Sequence, residues 1–121
     1  MKKKILVCDD DHEILEVVRL ILEEEGYQVC LETGSFHLLE RAIAEKPDLL
    51  LLDLWMPLLP GDELARQIRL TPELAGLRIV IFSATRDGKQ RAMQAGADCF
   101  VTKPFDINEL LTTINNCLHR T

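Results

Sequence analysis

Short, unbroken apolar runs alternate five times with longer segments of helical spacing, and this alternation constrains the fold more than any other feature of the chain. The runs Ile5 to Cys8, Tyr27 to Leu31, Leu49 to Leu52, Ile79 to Phe82 and Cys99 to Val101 read as strands. Ile14, Val17, Val18, Ile21 and Leu22 mark a first amphipathic helix, stopped by Gly26, and Phe36, Leu39, Ile43 and Ala44 mark a second. A third helix is expected over Asp62 to Arg69 and a short fourth over Gln90 to Gln94, ending at Gly96. A fifth starts at Asp106, which stands at capping-box spacing from Glu109, and buries Ile107, Leu110, Leu111, Ile114 and Leu118. Strict β-α alternation implies a parallel sheet with helices on both faces, and strands that are apolar at every position suit such double coverage. With right-handed crossovers, the expected architecture is a flavodoxin-like, doubly wound α/β fold, its five strands in the order 2-1-3-4-5 with five helices.

A chain of 121 residues fits one domain, residues 1–121, and its 47% hydrophobic and 28% charged content is that of an ordinary globular protein. The formal charge of −6 argues against direct nucleic-acid binding by this domain, since counterion release requires a basic surface. Cys8, Cys30, Cys99 and Cys117 form no CxxC pair and read as small buried thiols, which suits a reducing cytoplasm. The basic start "MKKKILVCDDD" meets three acids too early for a signal peptide, and no apolar stretch approaches the roughly 18 residues of a membrane span.

Ligands of open α/β sheets bind beyond the carboxyl ends of the strands, so the residue after each run carries the chemistry. Strand one is followed by Asp9, Asp10 and Asp11, strand three by Asp53, strand four by Ser83, and strand five by Thr102 and Lys103. Strand two offers only Glu32 and Thr33, at the expected sheet edge. Each residue has an ordinary reading alone: Asp11 suits a helix N-cap, Ser83 loop punctuation, Lys103 the surface, and His12 an exposed helix start. Together they place carboxylates, a hydroxyl and an ammonium at one edge. Clustered carboxylates call for a cation, and hard oxygen ligands favour Mg²⁺. The ammonium and hydroxyl opposite them suit a phosphoryl group, and a carboxylate can itself be the nucleophile that forms an aspartyl phosphate. Asp53, from the middle of the sheet, is the candidate.

The motifs "ILVCDDD", "LLLLDLWMP", "IVIFSAT" and "FVTKPF", in this order and on successive strand ends, resemble those of the receiver domain of two-component response regulators, and the resemblance covers essentially the whole chain. It implies that Asp53 is the phosphoacceptor. It implies that Asp9 and Asp10 hold Mg²⁺, Asp10 the more directly, with Asp53 and the backbone carbonyl of Trp55. Lys103 then binds a phosphoryl oxygen, with a cis bond to Pro104, while Ser83 and Phe100 are the switch residues. The implied partners are a sensor histidine kinase or phosphotransfer protein, docking near Ile14, Leu15 and Val18, and an effector domain beyond residue 121. A phosphorylation-dependent homodimer through helix four, strand five and helix five is also implied, with Arg91, Asp98 and Glu109 as candidate pairing charges. Pro60 departs from the family pattern and is expected to stiffen its loop. Trp55 is large for its position; with Thr85 it is expected at the entrance to the site, where the indole would shield the acyl phosphate from water. Two other readings compete: an Mg²⁺-dependent phosphohydrolase, weakened because no second acid stands at position 55, and an interaction module that never takes phosphate.

Overall fold

The structure, a computed structural model, describes residues 2–84 and 87–119. Five parallel strands, β1 (Lys4–Cys8), β2 (Gln28–Glu32), β3 (Leu49–Asp53), β4 (Arg78–Ser83) and β5 (Cys99–Thr102), form one sheet in the order β2-β1-β3-β4-β5, as the sequence leads one to expect. The helices are α1 (His12–Glu24), α2 (Leu38–Glu45), α3 (Gly61–Leu70), α4 (Gly88–Gln94) and α5 (Ile107–Leu118), with a single 3₁₀ turn at Pro72–Leu74 that the hydrophobic pattern does not announce.

The pleat divides the core. Ile5, Val7, Leu49, Leu51, Val80 and Phe82 face α1 and α5, where Leu15, Val18, Leu22, Leu110 and Ile114 meet them. Leu6, Leu50, Leu52, Ile79 and Ile81 face the other way, onto Leu38, Leu64, Ile68 and Ala92 of α2, α3 and α4. Every residue of β3 is buried, so the acceptor strand is the floor of both layers.

Two helix starts follow their caps. The Asp11 side chain accepts from the N–H groups of Glu13 and Ile14, and the Asp106 side chain from those of Asn108 and Glu109. The second helix departs from expectation. It starts at Leu38 and buries Leu38 and Ala42, while Phe36 is 79% exposed and Ile43 and Ala44 face solvent. With few apolar positions to set the phase, the register came out one position off. Val17, counted with the buried stripe of α1, is exposed, whereas Leu15 is buried. The four thiols are free; Cys8 and Cys117 are buried as expected, but Cys30 and Cys99 are only half-buried on outer strands.

Two glycines bring helices onto the loop that follows β3. A Cβ on Gly61 would lie 2.3 Å from the Asp53 carbonyl oxygen and 2.9 Å from the Leu54 Cα, and the Gly61 N–H donates to the Leu54 carbonyl at 2.7 Å. Pro60, extended at φ −61°, ψ 154°, delivers the chain into α3 at this point. A Cβ on Gly88 would lie 2.6 Å from the Leu54 Cδ2, the end of a flexible side chain. Gly61→Ala is therefore expected to cost about 1–3 kcal/mol, because backbone must move, and Gly88→Ala clearly less. Urea unfolding of the two variants measures the difference.

Candidate functional site

The sheet register assembles the site. Cys8 pairs with Leu52 and Asp53 with Phe82, so Asp9 and Asp53 emerge side by side at the carboxyl edge. Ser83 pairs with Thr102, and the Lys103 N–H donates to the Ser83 carbonyl at 2.8 Å, which brings the ammonium back over β3. The Lys103–Pro104 peptide is cis, as the resemblance implies.

Lys103 Nζ lies 2.9 Å from Asp9 Oδ2 and 3.2 Å from Asp53 Oδ1, one ammonium shared by two buried carboxylates. Carboxylate oxygens of Asp9, Asp10 and Asp53 all lie within 4.8 Å of one another, the first and last buried and Asp10 exposed. Asp9 is held in place by accepting from the Asp11 N–H at 2.9 Å. Three carboxylates against one ammonium leave an excess of negative charge in a partly desolvated space. All-oxygen donors with one solvent-facing member match a hard divalent cation that keeps several waters.

The excess charge shows in the titrating groups. Burial, and then the neighbouring Asp9 charge, raise the Asp53 pKa above the usual carboxylate value, although Lys103 pulls the other way. Burial pulls Lys103 down, yet Asp9 and Asp53 outweigh it and hold the ammonium above its ordinary pKa. The Cys8 thiol, one residue before Asp9, is pushed far up by burial and then by Glu32, Asp9 and Asp53.

The remaining expected residues fall around this centre. Ser83 is fully buried at the end of β4, and Phe100 is half-buried in the layer of α2, α3 and α4. A Cβ on Gly88 would lie 3.4 Å from both the Ser83 Cβ and the Phe100 ring, so the start of α4 rests on both residues. Trp55 is half-exposed and its ring lies under the Arg91 guanidinium of α4, 4.6 Å from carbon to centroid. Thr85 lies outside the described residues. His12 is exposed, as expected.

Some contributors are not legible as strand-end residues. Phe82 supports the lysine: Lys103 Nζ sits 4.5 Å from its ring centroid, and the ring meets Phe105 edge-on at 6.2 Å. Phe82 is visible in the sequence only as a strand residue. Two of the candidate dimer charges prove to be engaged within the chain. Arg91 pairs with Asp62 at 3.0 Å, and Asp98 pairs with Arg69 at 2.9 Å while accepting from the Ile79 N–H at 2.8 Å. Arg91 reaches from α4 to Asp62 on α3, and Arg69 reaches from α3 to Asp98 just before β5. Glu109 stays exposed at the start of α5.

Comparison with known proteins gives a consistent result. The family model described as the response regulator receiver domain matches residues 5–115. The chain is 39% identical over 117 residues to the response regulator ArlR of Staphylococcus saprophyticus, a match covering 97% of this chain and 53% of that protein. It is 33% identical over 120 residues to the alkaline phosphatase synthesis transcriptional regulatory protein PhoP of Bacillus subtilis, covering 99% of this chain and 50% of that protein. The chain thus spans about half the length of the curated relatives it matches. Among solved structures, the chemotaxis response regulator CheY4 of Vibrio cholerae superposes with a TM-score of 0.90 at 25% identity, over 97% of this chain and 99% of that one.

A carboxyl whose folded pKa is raised adds stability only while protonated, and that contribution is lost as pH rises through the raised value. Without divalent cations, Asp53→Asn is therefore expected to raise the melting temperature at pH 7 by about 2–5 °C, with the gain shrinking toward pH 4. Added Mg²⁺ is expected to stabilise the parent protein more than the variant, by mass action on the folded state. Thermal melts with and without the cation check both.

Proposed function

The chain belongs to the response regulator receiver family, and from that premise we propose that Asp53 is its phosphoacceptor, served by Lys103, Ser83 and the Asp9–Asp10 pair. The domain is a phosphorylation-controlled signalling switch of a two-component system. The observation that carries the residue assignment is the single ammonium of Lys103 bridging the buried carboxylates of Asp9 and Asp53.

In the proposed reaction an Asp53 oxygen attacks phosphorus in line, and the bond from phosphorus to a kinase imidazole, or to the oxygen of a small acyl phosphate, breaks with its electron pair leaving on the donor. Asp53 enters as the carboxylate, and its high local negative charge favours sharing that charge with an electrophile. Lys103 then exchanges part of its carboxylate contact for a phosphoryl oxygen, at little reorganisation cost because Phe82 and the β4–β5 pairing already hold it over the site. Asp9, Asp10, Asp53 and the Trp55 carbonyl would hold Mg²⁺, which supplies further neutralisation of phosphoryl charge when bound. The donor set supports this: three carboxylates within reach of one another and, among the described residues, the one ammonium of Lys103 paired with two of them.

The readout begins at Ser83, whose hydroxyl would donate to the phosphoryl group and draw the start of the β4–α4 connection inward. Phe100 and the first turn of α4 are in contact range of Ser83 and would move with it, remodelling the face made by α4, β5 and α5. This is a shift between two populated states, biased by the contacts the phosphoryl group adds. Hydrolysis of the aspartyl phosphate would be the only other reaction the domain catalyses, and it resets the switch.

A cytoplasmic sensor histidine kinase or phosphotransfer protein is the proposed donor, and exposed Val17 and Leu20 on α1 are an apolar surface it could use. An effector, of the transcriptional kind that the name of the Bacillus subtilis relative describes, is the proposed target in the whole protein. Acetyl phosphate with Mg²⁺ is expected to add one phosphoryl group, seen by intact mass, and Asp53→Asn to abolish the gain. Lys103→Met should slow its formation about tenfold or more, as loss of a preorganised charge contact does. Steady turnover of other phosphate esters, or no uptake at all, would refute the assignment.

A further inference from the structure

The loop after the acceptor is tied to α4 by a cluster that phosphoryl chemistry does not itself require. Arg91, in the second turn of the Gly88–Gln94 helix, sends its Nε and Nη2 to Asp62 Oδ2 at 3.2 and 3.0 Å. The same guanidinium lies over the Trp55 ring, 4.6 Å from its centroid. Asp62 belongs to the first turn of α3, is only 6% exposed, and its other oxygen, Oδ1, is buried with no hydrogen-bond partner among the described residues. Arg66 approaches the paired oxygen only to 3.8 Å. A carboxylate this buried is costly without its counter-ion, so Asp62 holds Arg91 firmly although the arginine is itself half-exposed. A planar guanidinium held on one edge can present its face to an indole, a geometry that lysine does not reproduce.

Trp55 stands two residues after Asp53, in the loop that leads from β3 to α3. The contact with Arg91 ties its ring to α4, the helix that carries the guanidinium. Gly88, one helical turn before Arg91, rests on Leu54, so α4 touches the two residues that follow the acceptor at two successive points.

We propose that Arg91 is a positioning residue for the phosphoryl site: anchored by the buried carboxylate of Asp62, it fixes the Trp55 indole over the entrance to Asp53 and so sets, from α4, how fast water reaches the acyl phosphate. This rests on the reading of Asp53 as phosphoacceptor. In the step concerned, a water oxygen attacks phosphorus, the bond between phosphorus and the Asp53 oxygen breaks, the Asp53 carboxylate is regenerated and inorganic phosphate leaves. By linkage, a partner that binds α4 and takes Arg91 away from Trp55 would shorten the signal it receives.

The test is the lifetime of the phosphorylated protein. The chain is phosphorylated with acetyl phosphate and Mg²⁺, the donor is removed, and loss of the acyl phosphate is followed by intact mass. Trp55 is the one tryptophan of the chain, so acrylamide quenching of indole emission reports its cover directly. Arg91→Met and Asp62→Asn are expected to hydrolyse roughly twofold to fivefold faster, the rate equivalent of a half-exposed cation–π contact, and to quench more readily. The double variant Asp62→Asn with Arg91→Met removes both charges, leaves no uncompensated buried ion, and should behave like the single ones. In a Trp55→Asn background, itself fast, Arg91→Met should add nothing. An unchanged lifetime in Arg91→Met, or an effect of equal size with and without Trp55, overturns the inference while leaving the phosphoacceptor reading intact. If the unsubstituted protein takes up no phosphoryl group, that reading falls and this inference with it.

Discussion

Two aspartates whose backbones are fixed by a parallel sheet cannot move apart, and this one constraint organises the end of the molecule where the chemistry lies. β1 and β3 are hydrogen-bonded neighbours in register, so Asp9 and Asp53 must emerge together. Both are almost fully buried, where repulsion is less screened than in water. The Lys103 ammonium offsets part of that repulsion by lying between them, and Phe82 backs the lysine from below. Burial first, and then the Asp9 charge, still keep the Asp53 pKa raised despite Lys103. A site left with excess negative charge by a rigid frame is poised for a cation and for an electrophile that removes charge from Asp53. The fully buried leucines of β3 supply the rigidity that holds Asp53 in this place.

The same frame explains how a change at Asp53 can travel. Gly61 lets α3 begin directly on the carbonyl of the acceptor, and Gly88 lets α4 begin on Leu54 within reach of Ser83 and Phe100. A side chain at position 61 would meet backbone and hold α3 off, whereas one at position 88 would meet the movable end of the Leu54 side chain. The ion pair of Asp62 with Arg91 adds a second link on the side of Trp55. α4 is the shortest of the five helices, with seven residues, and two of its seven carry these links. Its placement thus depends on these links as well as on the small buried face of Gly88 and Ala92.

Internal pairing also changes what the output face can offer. With Arg91 committed to Asp62 and Asp98 to Arg69, the charges first assigned to a second copy stabilise the packing of α3 against α4 and β5 instead. A dimer through that face would have to use other groups or break these pairs, and breaking the first would expose a buried carboxylate to the cost of standing alone.

The primary sequence determined the strand order, because unbroken apolar runs alternating with amphipathic segments have few right-handed arrangements, and it brought Asp9, Asp10, Asp53, Ser83 and Lys103 to one edge as candidates, because each lies within two residues of the end of such a run. The caps at Asp11 and Asp106 were legible for the same reason: they are local hydrogen bonds between near neighbours in sequence. The phase of α2 was not, since its few apolar residues fit more than one face and packing against the sheet chose Leu38 and Ala42 over Phe36 and Ile43. Nor could spacing reveal that Lys103 rests on Phe82, or that Arg91 joins Asp62 to Trp55. These partners lie about twenty to forty residues apart, and only the tertiary fold, by setting strand register and the approach of α3 to α4, decides that they meet.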